Sequence, residues 1–286
     1  MANLEKIKQL ESELQVQEID ALLILSREDS DPVLSLFLPV HVVAQSAIFF
    51  CRSGKHVVIT GSTDANMYNE FGVFEIITPK ESFEIELKQT FERLALKSVA
   101  LNISETDYLV DGLTVGQYQL LQDAIGEDVL SKLECSSESL VTKLRSIKTD
   151  YEVQCIKTAI DKTCAIYAKV ATQIRVGMSE TDIGELFVEG MREQGVVNAF
   201  GAPYSYPLIC INRCGLAHRE PNAKNLLQLH DILICDFSVN YKGYCSDIAR
   251  SFYVLGPGET TAPADVLHGF ETTVAAVSEV IDQIKP

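Results

Sequence analysis

ICDFSVNYKGYCSDIARSF, residues 234–252, reads as two apolar β-strands about a tight turn, and each strand carries one aspartate, Asp236 and Asp247. Side chains alternate across a strand, so Ile232, Ile234, Asp236 and Ser238 share one face and Leu233, Cys235, Phe237 and Val239 the other. The face with the isoleucines is expected to be buried, and Asp236 lies on it. If Tyr241 and Lys242 form a two-residue turn, Asp236 and Asp247 are directly opposed, with Cβ atoms about 4.5–5.5 Å apart. A type I turn with Gly243 in a bulge is the alternative, and it sends the two carboxylates to opposite faces. Two carboxylates opposed at low dielectric cannot both ionise cheaply, so a proton or a cation must neutralise them. The plainer reading is that one aspartate caps a turn or pairs with Arg250 or Lys242.

Outward from this hairpin, composition narrows the class. The 286 residues are 47% hydrophobic with 22% charged, enough apolar content for a sizeable core and enough length for two domains. The formal charge of −16 leaves no clustered Lys and Arg for phosphate contacts, so nucleic acid is not an expected partner. No apolar run approaches the length of a membrane span, and MANLEKIKQLESEL at the start reads as a charged helix, so no membrane partner is expected either. The eight cysteines are scattered through apolar segments rather than spaced as a disulfide framework, which fits a reducing cytoplasm.

The first half alternates helical and strand patterns. Leu4, Ile7, Leu10 and Leu14 fall on one helical side, DALLILS (20–26) reads as a buried strand, and SAIFFC, KHVVITG, GVFEIITP and KSVALNI follow as further strands. Helices are expected near Ser82–Leu96 and Thr114–Ala124, completing an α/β domain over 1–140. In 141–286, Thr149 and Glu152 form a capping box before a long amphipathic helix. Ser179 caps a second helix, Asp182 lies in its first turn and Gly195 stops it. A final helix runs through ADVLHGFETTVAAVSEVIDQI.

Upstream of the hairpin, ICINRCGLAHREPNAKNLLQLHDILICDF places His218 in a Gly- and Pro-punctuated loop that leads into the first strand. A structural zinc site on Cys210, Cys214 and His218 is a minor alternative, since that spacing is unlike paired-cysteine knuckles. The order of His, strand with Asp, turn, and GYCSDIAR with Asp resembles the pita-bread metallopeptidases, family M24, which include Xaa-Pro aminopeptidase, Xaa-Pro dipeptidase, creatinase and methionine aminopeptidase. LRSIKTDYEVQCIKTA, IRVGMSETDI, AHREP and the trailing VLGPG match its Xaa-Pro branch in the same order.

The resemblance implies a creatinase-type N-terminal α/β domain over 1–140 and an α+β pita-bread domain over 141–286. It implies metal ligands at Asp236 and Asp247 and a substrate-contacting catalytic role for His218. It further implies two divalent ions, manganese first with cobalt or zinc as alternatives, a proline-containing peptide substrate, and a homodimer. A non-catalytic peptide- or protein-binding module is the alternative function. Where the family carries glycine after the first Asp and before the first strand, this chain has Ser238 and His230, which could strain the backbone. The family's remaining ligands, one His and two Glu, fall downstream of Pro286, so a truncated catalytic domain is expected, with a site incomplete in this chain.

Overall fold

The computed structural model describes residues 4–215 and 219–285. Two compact units divide the chain, Met1–Tyr151 and Glu152–Pro286.

The first unit is built on one six-stranded sheet, β1 (Ala21–Ser26), β2 (Ser46–Cys51), β3 (His56–Ile59), β4 (Phe74–Ile77), β5 (Val99–Leu101) and β6 (Glu134–Ser136), in the order β4-β3-β2-β1-β5-β6. β1 runs parallel to β5 and antiparallel to β2, and β5 runs parallel to β6. All six residues of β1 are buried, as an uninterrupted apolar run demands when both faces are covered. On one face Leu22 and Ile24 join Ile7, Leu10 and Leu14 of α1 (Leu4–Val16), together with α2 (Leu34–Phe37) and α3 (Ser62–Asn69). On the other, Leu23 and Leu25 meet α4 (Phe83–Leu94), α5 (Val115–Ile125) and α6 (Glu127–Leu133). Leu140, Val141 and Leu144 of α7 (Glu138–Ser146) pack into the first of these cores, so this helix is part of the first unit. Leu4, assigned to the apolar side of α1 from the sequence, is exposed.

The second unit opens with α8 (Asp150–Ala171) and α9 (Glu180–Gln194). Ser179 and Asp182 form a reciprocal capping box at the start of α9, and Gly195 ends it in the left-handed conformation, both as the sequence indicates. Gly190 lets the two helices approach closely, because a Cβ there would lie 2.7 Å from Ile166. Two small antiparallel sheets follow. One has the order β12-β9-β8 and the other β11-β10-β7, from β7 (Val197–Asn198), β8 (Leu208–Ile211), β9 (Ile232–Asp236), β10 (Val239–Tyr241), β11 (Tyr244–Cys245) and β12 (Ala249–Tyr253). Tyr167, Val170, Ile183, Phe187 and Met191 of the helices bury Leu233, Cys235, Phe237 and Val239 from one side. The last helix, α10 (Ala264–Gln283), has no buried residue. Among the described residues no helix is long and apolar enough to cross a membrane, and the cysteines are free thiols.

Candidate metal centre

The hairpin differs from its expected register. Lys242 and Gly243 both adopt positive φ, 55° and 89°, and form the two-residue turn, so Tyr241 pairs with Tyr244 and Asn240 with Cys245. Positive φ at both central positions is the type I′ geometry whose twist suits a hairpin. Asn240 Oδ1 accepts a hydrogen bond from the Gly243 N–H at 2.8 Å, which fastens the turn. The same register continues through β9 and β12, where Ala249, not Asp247, stands opposite Asp236. Counting along the ladder, Asp247 falls opposite Ser238 and diagonal to Asp236, a relation that separates side chains by roughly 7–8 Å in a regular pair.

The burial of the two faces is also the reverse of the expectation. Leu233, Cys235 and Phe237 are buried against the helices, whereas Ile232, Ile234 and Asp236 are only half-buried and Asp247 is exposed. Leu208 of β8 pairs with Asp236 on its other side, so Leu208, Asp236 and Ala249 form one cross-strand row on the open face.

Between the two aspartates the strands stay joined by the Phe237 N–H to the Ile248 carbonyl at 3.1 Å and the Ser246 N–H to the Val239 carbonyl at 3.2 Å, and side-chain hydroxyls take the other ladder bonds. Ser238 Oγ accepts from the Ile248 N–H at 2.9 Å, and Ser246 Oγ accepts from the Val239 N–H at 3.1 Å. Ser246 is held in turn by Thr163 of α8 at 2.8 Å. Tyr167 Oη accepts from the Phe237 N–H at 3.1 Å and lies 2.8 and 3.0 Å from the carbonyl oxygens of Cys235 and Ile248, to which its proton can donate. Burial pushes the Tyr167 hydroxyl above its ordinary range, so it remains a protonated donor. Ser238, where a glycine was anticipated, has no positive φ and is used for its hydroxyl. His230, the other such position, is at φ 68°.

His218 lies outside the described residues. The loop on either side of residues 216–218 is tied to one buried carboxylate. Glu180 accepts hydrogen bonds from the Ile211 N–H at 3.1 Å, the Asn222 N–H at 2.9 Å and Asn225 Nδ2 at 3.0 Å. It also takes both Arg219 terminal nitrogens, at 2.6 and 2.7 Å. Burial works to raise the Glu180 pKa, but the guanidinium and these N–H donors outweigh it and hold the carboxyl below its usual range. Arg213 grips buried Asp231 through Nε and Nη2, at 3.1 and 3.2 Å, at the end of the same loop. Sequence reading singled out neither carboxylate. The position of Glu180 directly after the cap Ser179 is the one signal that could have drawn attention to it.

Against this background the two aspartates stand out. Glu180, Asp231 and Asp182 each engage at least two donors, while Asp236 and Asp247 make no hydrogen bond or ion pair with any described residue. The plainer alternatives are not formed. Arg250 donates to the Ala249 carbonyl and lies over the Tyr167 ring, and Lys242 lies over the Tyr241 ring. Carboxylate oxygens suit a hard divalent cation, so the donor chemistry fits such an ion. The donor number is short, because among the described residues no group of three or more His, Cys, Asp or Glu side chains converges.

The second unit thus presents, on the open face of a helix-backed antiparallel sheet, two aspartates without partners among the described residues. Residues 154–286 match metallopeptidase family M24, and the fold of the second unit is the pita-bread fold that the resemblance implied. A putative Xaa-Pro aminopeptidase of Mycoplasma genitalium is 29% identical over 143 residues, 48% of this chain and 38% of that protein. An uncharacterized peptidase, YqhT, of Bacillus subtilis is 28% identical over 188 residues, 65% of this chain and 48% of that protein. Among solved structures, the Xaa-Pro dipeptidase of Bacillus anthracis superposes with TM-score 0.66 at 25% identity, covering 90% of this chain and 66% of its own. The X-Pro aminopeptidase of Thermotoga maritima gives 0.62 at 23%, covering 88% of this chain and 66% of its own. The chain spans about half or less of the length of these two curated relatives.

Proposed function

We propose that this chain carries part of a metal-dependent exopeptidase that hydrolyses the N-terminal Xaa-Pro bond of peptides or dipeptides. Asp236 and Asp247 would hold divalent metal, manganese being favoured by hard carboxylate donors. Further ligands would come from outside residues 1–286. When bound, the ions would supply Lewis acidity and activate the hydrolytic nucleophile. The chain's own contribution would be Asp236 at the end of β9, Asp247 between β11 and β12, and His218, which would donate a hydrogen bond to the substrate or intermediate. The observation that carries the reading is that Asp236 has no hydrogen-bond or ion-pair partner among the described residues. A half-buried carboxylate is costly to leave without hydrogen bonds, and a cation removes that cost.

Calorimetric titration with manganese tests the site. The chain should bind manganese, and Asp236→Asn or Asp247→Asn should abolish the heat. The complete gene product should hydrolyse an Xaa-Pro peptide only when manganese is present and Asp236 is intact. Manganese heat unchanged by both substitutions, or no hydrolysis by the metal-loaded complete protein, would sink the peptidase reading. A non-catalytic binding module is the reading favoured by the short donor set among the described residues. It expects peptide binding without turnover. The homodimer implied by the resemblance is checked by sedimentation equilibrium.

A further inference from the structure

Two hydroxyls buried in the first unit have no hydrogen-bond partner among the described residues. Ser26 ends β1 and Tyr68 lies on α3, both fully buried, yet neither Ser26 Oγ nor Tyr68 Oη makes a hydrogen bond. A hydroxyl taken out of water unpaired is unfavourable, so each calls for a partner.

The sheet brings the two to one place. Ser26 is the ladder partner of Ser46, and the register that sets Ala47 opposite Ile59 carries Thr60 to the position beyond Ser46. Alternation along the strands puts Ser26, Ser46 and Thr60 on the face of Leu22, Ile24, Ile48 and Val58, the face against which Tyr68 packs. Ser46 is also the hydroxyl neighbour that acts on Tyr68.

The protons in this row can be followed. Ser46 Oγ donates to the Ala44 carbonyl at 3.2 Å, so in its 2.7 Å contact with Thr60 Oγ1 it accepts the threonine proton. Both oxygens keep lone pairs. Burial pushes the Tyr68 hydroxyl above its ordinary range, so it stays a donor. The row thus offers donors at Ser26 and Tyr68 and acceptors at Ser26, Ser46 and Thr60.

We propose that this cluster is a binding site for one water molecule, which bridges Tyr68 Oη, Ser26 Oγ and Ser46 Oγ and ties the end of β1 to α3. About three hydrogen bonds is the usual complement of an internal water. The chemistry selects a neutral ligand. The charges that act on Tyr68 are the carboxylates of Asp64 and Asp29, which oppose an anion. Those carboxylates are themselves engaged, Asp64 by the Val43 and Ala44 N–H groups at 3.0 and 2.9 Å and Asp29 by the Val42 N–H at 2.6 Å and by His41, so they do not turn to a cation.

The test joins water-to-protein cross-relaxation in nuclear magnetic resonance to a double-substitution cycle on the 286-residue chain. A long-lived water should give cross-peaks to both Ser26 and the Tyr68 ring, and Tyr68→Phe should abolish the signal at Ser26. Ser26→Ala and Tyr68→Phe each remove one oxygen and should each lower the denaturation midpoint of the first unit. Together they should lower it by less than the sum, because either alone already loosens the water. Absence of a long-lived water at either residue in the unsubstituted chain overturns the inference, whether or not the variants fold. A rise in midpoint for either variant, or strictly additive losses, also overturns it, since each hydroxyl would then stand alone.

Discussion

His230 holds a φ of 68° in the bend before β9, a conformation that costs an L-residue roughly 1–2 kcal/mol. Its ring compensates in part by stacking on Tyr253 and by meeting Glu259 at 3.1 Å, and its N–H donates to the Val254 carbonyl at 2.7 Å. The strain anticipated from a non-glycine residue here is thus present at His230, whereas Ser238 escapes it. His230→Ala removes the ring contacts and keeps the strained backbone, while His230→Gly removes both. The glycine variant should be the more stable of the two by about 1 kcal/mol, read from denaturant midpoints. Equal stability, or a more stable alanine variant, would show that the bend relaxes without cost.

The loop joining β8 to β9 depends on Glu180 and Asp231 rather than on its own sequence preferences. Arg219→Ala leaves the fully buried Glu180 carboxylate with amide donors but no countercharge, so it should destabilise the second unit by about 3 kcal/mol and speed amide exchange at Asn222 and Asn225. Glu180→Gln should restore part of that loss in the Arg219→Ala background, because a neutral amide needs no guanidinium. The strands and helices themselves were largely legible. Continuous apolar runs marked β1 to β3, and the cap signals at Ser179 and Gly195 placed both ends of α9. The three-residue β6 left no periodicity to read, and the boundary drawn between residues 140 and 141 falls inside α7. The hairpin register escaped because Lys242 takes a left-handed turn position that usually signals itself with Asn or Gly. Which face is buried escaped as well, since isoleucines on the open face carry the same alternation as leucine and phenylalanine on the covered one. The two aspartates could be singled out from residue type and spacing, but the hydrogen bonds of the Tyr167 hydroxyl to the backbone of Cys235, Phe237 and Ile248 are tertiary contacts that no local pattern announces.

At the scale of the molecule, the two units have separate hydrophobic cores and respond to different chemical levers. In the first, His56 is buried; its Nδ1 accepts from the Cys51 N–H at 3.1 Å and Nε2 faces Glu11 at 3.1 Å. That arrangement needs a neutral ring, since a proton on Nδ1 would oppose the Cys51 N–H. Burial lowers the His56 pKa despite the counteracting pull of Glu11. The unfolded chain, with an ordinary value near 6.5, therefore takes up the proton first on acidification. The His56 contribution to stability is fully present above about pH 6.5 and is lost as the pH falls below it toward the depressed folded-state value. Calorimetry should resolve two transitions. One should move down between pH 7 and 5.5 and lose that dependence in His56→Gln. The other should be raised by manganese, by about 2.7 kcal/mol at a concentration one hundred times its dissociation constant, and not in Asp236→Asn. A single transition moved by both acid and manganese, with both responses lost together in either variant, would mean that the units melt as one and that the histidine and the aspartates do not act on separate cores.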